Sequence, residues 1–152
     1  VTVQEQKTRI IGFIASQQVF TLATCGSHGP WCAPCYYAFE SDQMRLVFMS
    51  QSDTRHIREM LAHDTVAGSI LPDRSTVGKI RGIQFTGKAV PCNRLTEGEM
   101  LRDLYFKRFP FARAMKGECY AVMLDTVKMT DNTLGFGSRL HWERTDLHHA
   151  QN

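Results

Sequence analysis

Met44-Arg45-Leu46-Val47-Phe48-Met49-Ser50-Gln51-Ser52-Asp53-Thr54-Arg55-His56-Ile57-Arg58-Glu59-Met60-Leu61 is the stretch on which the fold turns. Met44, Leu46 and Phe48, with Val47 and Met49 between them, read as a buried strand. Ile57, Met60 and Leu61 then recur at helical spacing. The junction gathers three hydroxyls (Ser50, Ser52, Thr54) and two basic side chains (Arg55, His56) around a helix start. Unpaired backbone N–H groups and the positive end of the helix dipole favour an anion there. Arg adds a planar fork that matches phosphate oxygens. These residues therefore suit a dianion. They also suit a capped surface helix, with Ser52 or Asp53 as N-cap and Arg55 in solvent. Short motifs are unspecific, and on this segment alone the capped helix is the simpler reading.

Outward from the junction the chain reads as a meander. Thr2 to Gln18 predicts an opening amphipathic helix with Ile10, Ile11 and Ile14 on its apolar side. Phe20 to Thr24 is a first strand, Gly26-Ser27-His28-Gly29-Pro30 a turn, and 31–39 a second strand. Glu40 to Gln43 turns the chain into the third strand, 44–49, and a helix spans Thr54 to Ala62. Thr65 to Ile70 is a strand, Leu71 to Gly78 a loop, and Lys79 to Val90 a long strand. In that long strand Gly82 and Gly87 mark a close approach or a bulge. Thr96-Glu97-Gly98-Glu99 has the form of a capping box and opens a helix that Phe109-Pro110 stops. Cys119 to Leu124, Val127 to Thr130 and Leu140 to Glu143 complete the strands. About seven mostly antiparallel strands with two or three peripheral helices make an α+β domain, mainly β and barrel-like, over residues 1–152. The regular βαβ alternation of a parallel nucleotide-binding sheet is absent.

Composition narrows the function classes. The 152 residues are 43% hydrophobic and 22% charged, ordinary for a globular domain. A net charge of +3 without a run of Lys and Arg does not describe a nucleic-acid binder. No stretch approaches the ~18 consecutive apolar residues of a membrane span. Val1 to Arg9 is polar and lacks the apolar core of a secretory signal, so the expected location is the cytoplasm.

Five cysteines without regular spacing read as free thiols. Cys32-Ala33-Pro34-Cys35 is a C-x-x-C, but residues three apart in a strand point to opposite faces, so the two sulfurs diverge. The histidines (28, 56, 63, 141, 148 and 149) lack metal-helix spacing, and His148-His149 reads as part of a frayed terminus. No nucleophile constellation stands out. A chain so sparsely equipped with acid–base groups gains most from a bound cofactor.

The order helix, Phe20-Thr21-Leu22-Ala23-Thr24, Gly29, Pro34, Ser50 to His56, then Arg81-Gly82-Ile83-Gln84-Phe85-Thr86-Gly87-Lys88-Ala89 resembles the FMN-binding split β-barrel, or pyridoxamine-phosphate-oxidase-like, superfamily. Thr54-Arg55-His56, Arg81 to Phe85, Arg108-Phe109-Pro110 and Thr130-Asp131-Asn132-Thr133-Leu134-Gly135-Phe136-Gly137 are most similar to its small bacterial YhbP-type members.

This resemblance implies a split β-barrel flavoprotein acting as an FMN-dependent oxidoreductase. It also implies a homodimer with flavin and a small-molecule substrate at the interface. The phosphate falls to Ser50, Thr54, Arg55 and His56, with Met49 beside them. The ring falls to the second strand, Ala33, Pro34, Cys35, Tyr36 and Tyr37, largely through backbone groups. Where the oxidases carry a flavin-contacting Gln this chain has Gly82, and Gln84, two residues on, is either its substitute or a core-rim residue.

His56 replaces a Lys of the oxidases and makes the clamp less cationic and more pH-sensitive. Arg139-Leu140-His141 echoes their substrate element, and Asn132 and Phe136 are expected near the substrate. Trp31 and Trp142 either edge the flavin or fill core space. The alternative within the same fold is a non-catalytic flavin or haem binder, with His28, His141 or Cys35 as haem ligands. Deazaflavin is a third cofactor the superfamily uses.

Overall fold

The computed structural model describes residues 1–74, 77–134 and 138–145. Helix α1 (Val3–Ser16) opens on a capping box. The Thr2 hydroxyl accepts from the Glu5 N–H at 3.1 Å, and the Glu5 carboxylate accepts from the Thr2 N–H at 2.8 Å. Its buried side is Ile10, Phe13 and Ile14. Phe13 takes the place expected for Ile11, which is only partly buried, because i, i+3 and i+4 share one stripe.

The strands are β1 (Val19–Gly26), β2 (Gly29–Tyr36), β3 (Ala38–Glu40), β4 (Arg45–Ser50), β5 (Thr65–Ile70), β6 (Arg81–Pro91), β7 (Glu118–Asp131) and β8 (Arg139–Glu143). Helices α2 (Arg55–Ala62) and α3 (Gly98–Arg108) complete the regular elements. The sheet runs β2-β1-β5-β6-β7-β4-β3, every neighbouring pair antiparallel, with β8 added beside β7. It curls until β2 approaches β4 without joining it, which is the split β-barrel. Among the described residues no helix is long and apolar enough to cross a membrane.

The deciding strand owes its unbroken apolar run to its position. β4 is buried on both faces: Leu46 and Phe48 enter the main core with Phe20, Phe85 and Tyr120, while Val47 joins a smaller core beneath α3. Arg45 is also buried, and its charge is met by Glu40 at 2.9 Å and Glu97 at 3.3 Å.

Three expectations need correcting. The strand foreseen over 31–39 is two strands, broken at Tyr37. The Tyr37 N–H donates to the Gln18 carbonyl at 3.0 Å and its hydroxyl to the Ile14 carbonyl at 2.5 Å, turning the chain into the barrel end beside α1. The segments 119–124 and 127–130 are one strand, β7. The register against β6 shifts between Thr86 and Gly87, leaving Asp125 without a cross-strand partner there. Gly87 permits this bulge, since a Cβ would sit 2.5 Å from the Met123 carbonyl oxygen. The Arg144 N–H takes the Asp125 carbonyl at 2.8 Å.

The capping box at Thr96–Glu99 does not form either. α3 begins at Gly98, pressed onto the Cys92 carbonyl, and no side chain caps it; Glu97 turns instead to Arg45.

Candidate functional site

Ser50 ends β4, and four residues later Thr54 is the N-cap of α2, so neither Ser52 nor Asp53 holds that place. The Thr54 hydroxyl donates to the Gln51 carbonyl at 3.0 Å and makes no cap bond to the first helical turn. The first-turn amides of α2 are therefore not capped by the residue best placed to do so. His56 Nε2 lies 2.8 Å from the Ser50 hydroxyl and 3.4 Å from that of Thr54. Burial holds the His56 imidazole below its ordinary value, so near neutral pH it is an uncharged hydrogen-bonding group. The basic pair read from the sequence thus reduces to one permanent cation, Arg55.

Arg55 is tied down from three sides. Its Nε donates to Glu59 Oε2 at 3.2 Å, a second guanidinium nitrogen reaches the His28 carbonyl at 3.5 Å, and the guanidinium carbon stands 4.3 Å from the Trp31 ring centroid. Glu59 in turn accepts from the Thr24 hydroxyl at 2.8 Å. That bond, and then Arg55, hold its carboxyl below the usual range. Gly26 makes room for this carboxylate, since a Cβ would lie 2.5 Å from it. Sequence reading missed Glu59, although Arg55 and Glu59 stand one helical turn apart and that spacing was the available signal.

Strand β2 is an edge strand, so one side of its backbone is open for hydrogen bonding. Pro34 is tolerated there for the same reason. Ala33, Cys35 and Tyr37 point inward, whereas Cys32, Pro34 and Tyr36 are exposed. The opposed sulfurs of the C-x-x-C follow from this alternation. Burial pushes the Cys35 thiol up to about 12, so it stays protonated. Tyr36 is 52% exposed and packs on Phe109 at 5.5 Å between ring centroids. Trp31 is likewise exposed, while Trp142 is partly buried against the main core. Met49, partly buried, pairs with Cys119 one step before Ser50.

The remaining candidates lie elsewhere. Gln84 is exposed, and lines a cleft of about 1000 Å³ with Thr86, Lys128, His141 and Trp142. Ser50, Thr54, Arg55 and His56 do not line that cleft. Arg139 is on β8 opposite Thr130. The Asn132 N–H donates to the Ile80 carbonyl at 2.9 Å. His28 is exposed in the turn between β1 and β2, His141 is exposed on β8, and Cys35 is buried in β2. Phe136, His148 and His149 lie outside the described residues.

The sequence model described as "Pyridoxamine 5'-phosphate oxidase" matches residues 7–130. A UPF0306 protein of Serratia proteamaculans (strain 568) is 43% identical over 141 residues, covering 93% of this chain and 97% of that protein. A haem-binding protein from Mycobacterium smegmatis superposes with TM-score 0.74 at 17% identity, over 94% of this chain and 58% of that one. An FAD-binding protein from Mesorhizobium loti gives TM-score 0.66 at 16% identity, over 79% and 90%. With most of its length matched by that family and near-complete coverage of its relative, the chain belongs to the pyridoxamine 5'-phosphate oxidase family, in its UPF0306 group.

Proposed function

We propose that this protein is a cytoplasmic flavoprotein that binds FMN and serves as an oxidoreductase. The observation that carries the reading is the start of α2, where no Thr54 side-chain cap forms, the Ser50 and Thr54 hydroxyls converge on His56, and Arg55 is the first helical residue. The donor set suits a phosphate dianion: two hydroxyls, first-turn amides at the positive helix end, an imidazole and one guanidinium within the same turn. The flavin, when bound, supplies the electron transfer. The chain's own residues would hold the phosphate at Ser50, Thr54, Arg55 and His56. The open backbone edge of β2, from Ala33 to Tyr37, would orient the ring.

The protomer's clefts support a dimer in this reading. The phosphate residues line neither the cleft at Gln84 nor a second cleft, lined by Arg94, Arg102 and Arg113. A second copy would wall the anchor, and the exposed Trp31 and Tyr36 supply apolar surface for that contact.

Haem is the second reading, since a structural neighbour is described as haem-binding. It is disfavoured here by the buried, protonated Cys35. Absorbance of the purified protein separates the two: a band near ~450 nm marks flavin, and a Soret band near ~400 nm marks haem. The flavin reading expects the first band and is overturned by the second.

A further inference from the structure

Strands β6 and β7 pair as far as Pro91 and Tyr120; Cys92 follows Pro91 as the first residue of a 3-10 turn, and Cys119 precedes Tyr120 in β7. Both are free thiols, 3% and 6% exposed, within the smaller core beneath α3. They line a cleft of about 940 Å³ whose walls include Arg94, Arg102 and Arg113. The backbone at Cys92 is fixed by α3, because a Cβ on Gly98 would come within 1.9 Å of the Cys92 carbonyl oxygen. A disulfide needs Cβ atoms about 3.5–4.5 Å apart, so with Cys92 held by α3 the closing movement falls to the Cys119 end of β7.

The two thiols interact with one another. A hydrogen bond from Cys119, together with the Arg45 and Arg102 charges, draws the Cys92 thiol below its ordinary value. The same bond and burial push Cys119 up. The Arg45 and Arg102 charges near Cys92 favour a thiolate there, the form that attacks.

We propose that Cys92 and Cys119 are a redox-modification site that closes reversibly to a disulfide when a hydroperoxide enters the arginine-lined cleft. The Cys92 thiolate attacks one peroxide oxygen and the O–O bond breaks. Cys92 becomes a sulfenic acid, and the other oxygen leaves as hydroxide or alkoxide, which takes a proton from solvent. The Cys119 sulfur then displaces the sulfenic hydroxyl. An S–S bond forms, and the hydroxyl departs with the Cys119 proton as water. The two sulfurs are oxidised by two electrons together and the peroxide is reduced by two. A low-molecular-weight dithiol reverses the bond by exchange.

Reversible thiol chemistry of this kind is what a reducing compartment permits. The site does not depend on the flavin reading. It is nevertheless adjacent to the proposed anchor, since Cys119 pairs with Met49 and Glu118 with Ser50 on β4.

The test treats the reduced protein with a small excess of hydrogen peroxide, alkylates free thiols in denaturant so that buried ones are reached, and maps peptides without reduction. The expected product is a peptide pair joined through Cys92 and Cys119, lighter than the two thiols by two hydrogens and released by dithiothreitol. Cys92→Ser should abolish the link and leave Cys119 alkylated. If that variant does not fold, the wild-type map decides alone. The proposal is overturned if both cysteines carry alkyl label after peroxide. It is equally overturned if either reaches sulfinic acid unlinked, or if the only link formed joins other cysteines.

Discussion

The hydroxyl of Ser50, the last residue of β4, lies 2.8 Å from Nε2 of His56 in the first turn of α2. Strand end and helix start are thereby fixed to one another, and Thr54 adds a second hydroxyl 3.4 Å from the same nitrogen. A phosphate entering here would exchange these contacts for its own, with Arg55 one residue away.

Removing the donors should therefore weaken FMN in proportion to their charge. Arg55→Ala is expected to cost about 2 kcal/mol or more, as charge-assisted bonds do, and Ser50→Ala about 1 kcal/mol. Titration followed by flavin fluorescence measures both. Unchanged affinity in Arg55→Ala would remove the phosphate assignment and leave α2 an ordinary surface helix.

His56 makes stability depend on pH. Burial lowers its folded-state value, so the unfolded chain binds the proton more readily. Its contribution is complete above the unfolded histidine value of about 6.5, and is lost as pH falls through the lower folded value. Urea midpoints at pH 8 and pH 5 should fall further in the wild type than in His56→Asn. An equal drop in both would mean that the imidazole is not held neutral by its surroundings.

The two sulfurs of the C-x-x-C should react very differently. Cys32 is exposed, whereas Cys35 is buried and its thiol is raised to about 12. Brief treatment of the folded protein with iodoacetamide near neutral pH should label Cys32 and spare Cys35, as thiolate fraction and access both require. A reversible disulfide between them, found by peptide mapping, would contradict the observed strand geometry.

Tyr37 ties β2 to the end of α1. Tyr37→Phe deletes the hydrogen bond to the Ile14 carbonyl within the core and is expected to destabilise by about 1–2 kcal/mol. Urea unfolding is the measure, and a loss indistinguishable from zero would show that this bond does not fix the break between β2 and β3.

What the sequence disclosed follows from how local each signal is. The β4–α2 junction, the glycine at the bulge and the Phe109-Pro110 stop are encoded within a few residues, and all three appear in the structure. The break at Tyr37 depends on Gln18 and Ile14, distant in the chain, so a continuous apolar run concealed it. The capping pattern at Thr96–Glu99 lost to tertiary demands on Gly98 and Glu97. At the junction, periodicity placed Ser50, Thr54 and His56 between a strand end and a helix start. It could not show that burial neutralises His56, nor that Trp31 and Glu59 hold Arg55. Those are properties of surfaces brought together by the sheet.

The central claim is that the start of α2 grips a phosphate. Comparing FMN with riboflavin on the same flavin-free protein isolates that group, since the ring is common to both. The account predicts that FMN binds about a hundredfold more tightly, as two charge-assisted contacts would give. It also predicts that most of this advantage vanishes in Arg55→Ala. Equal affinities for the two flavins in the wild-type protein would contradict it.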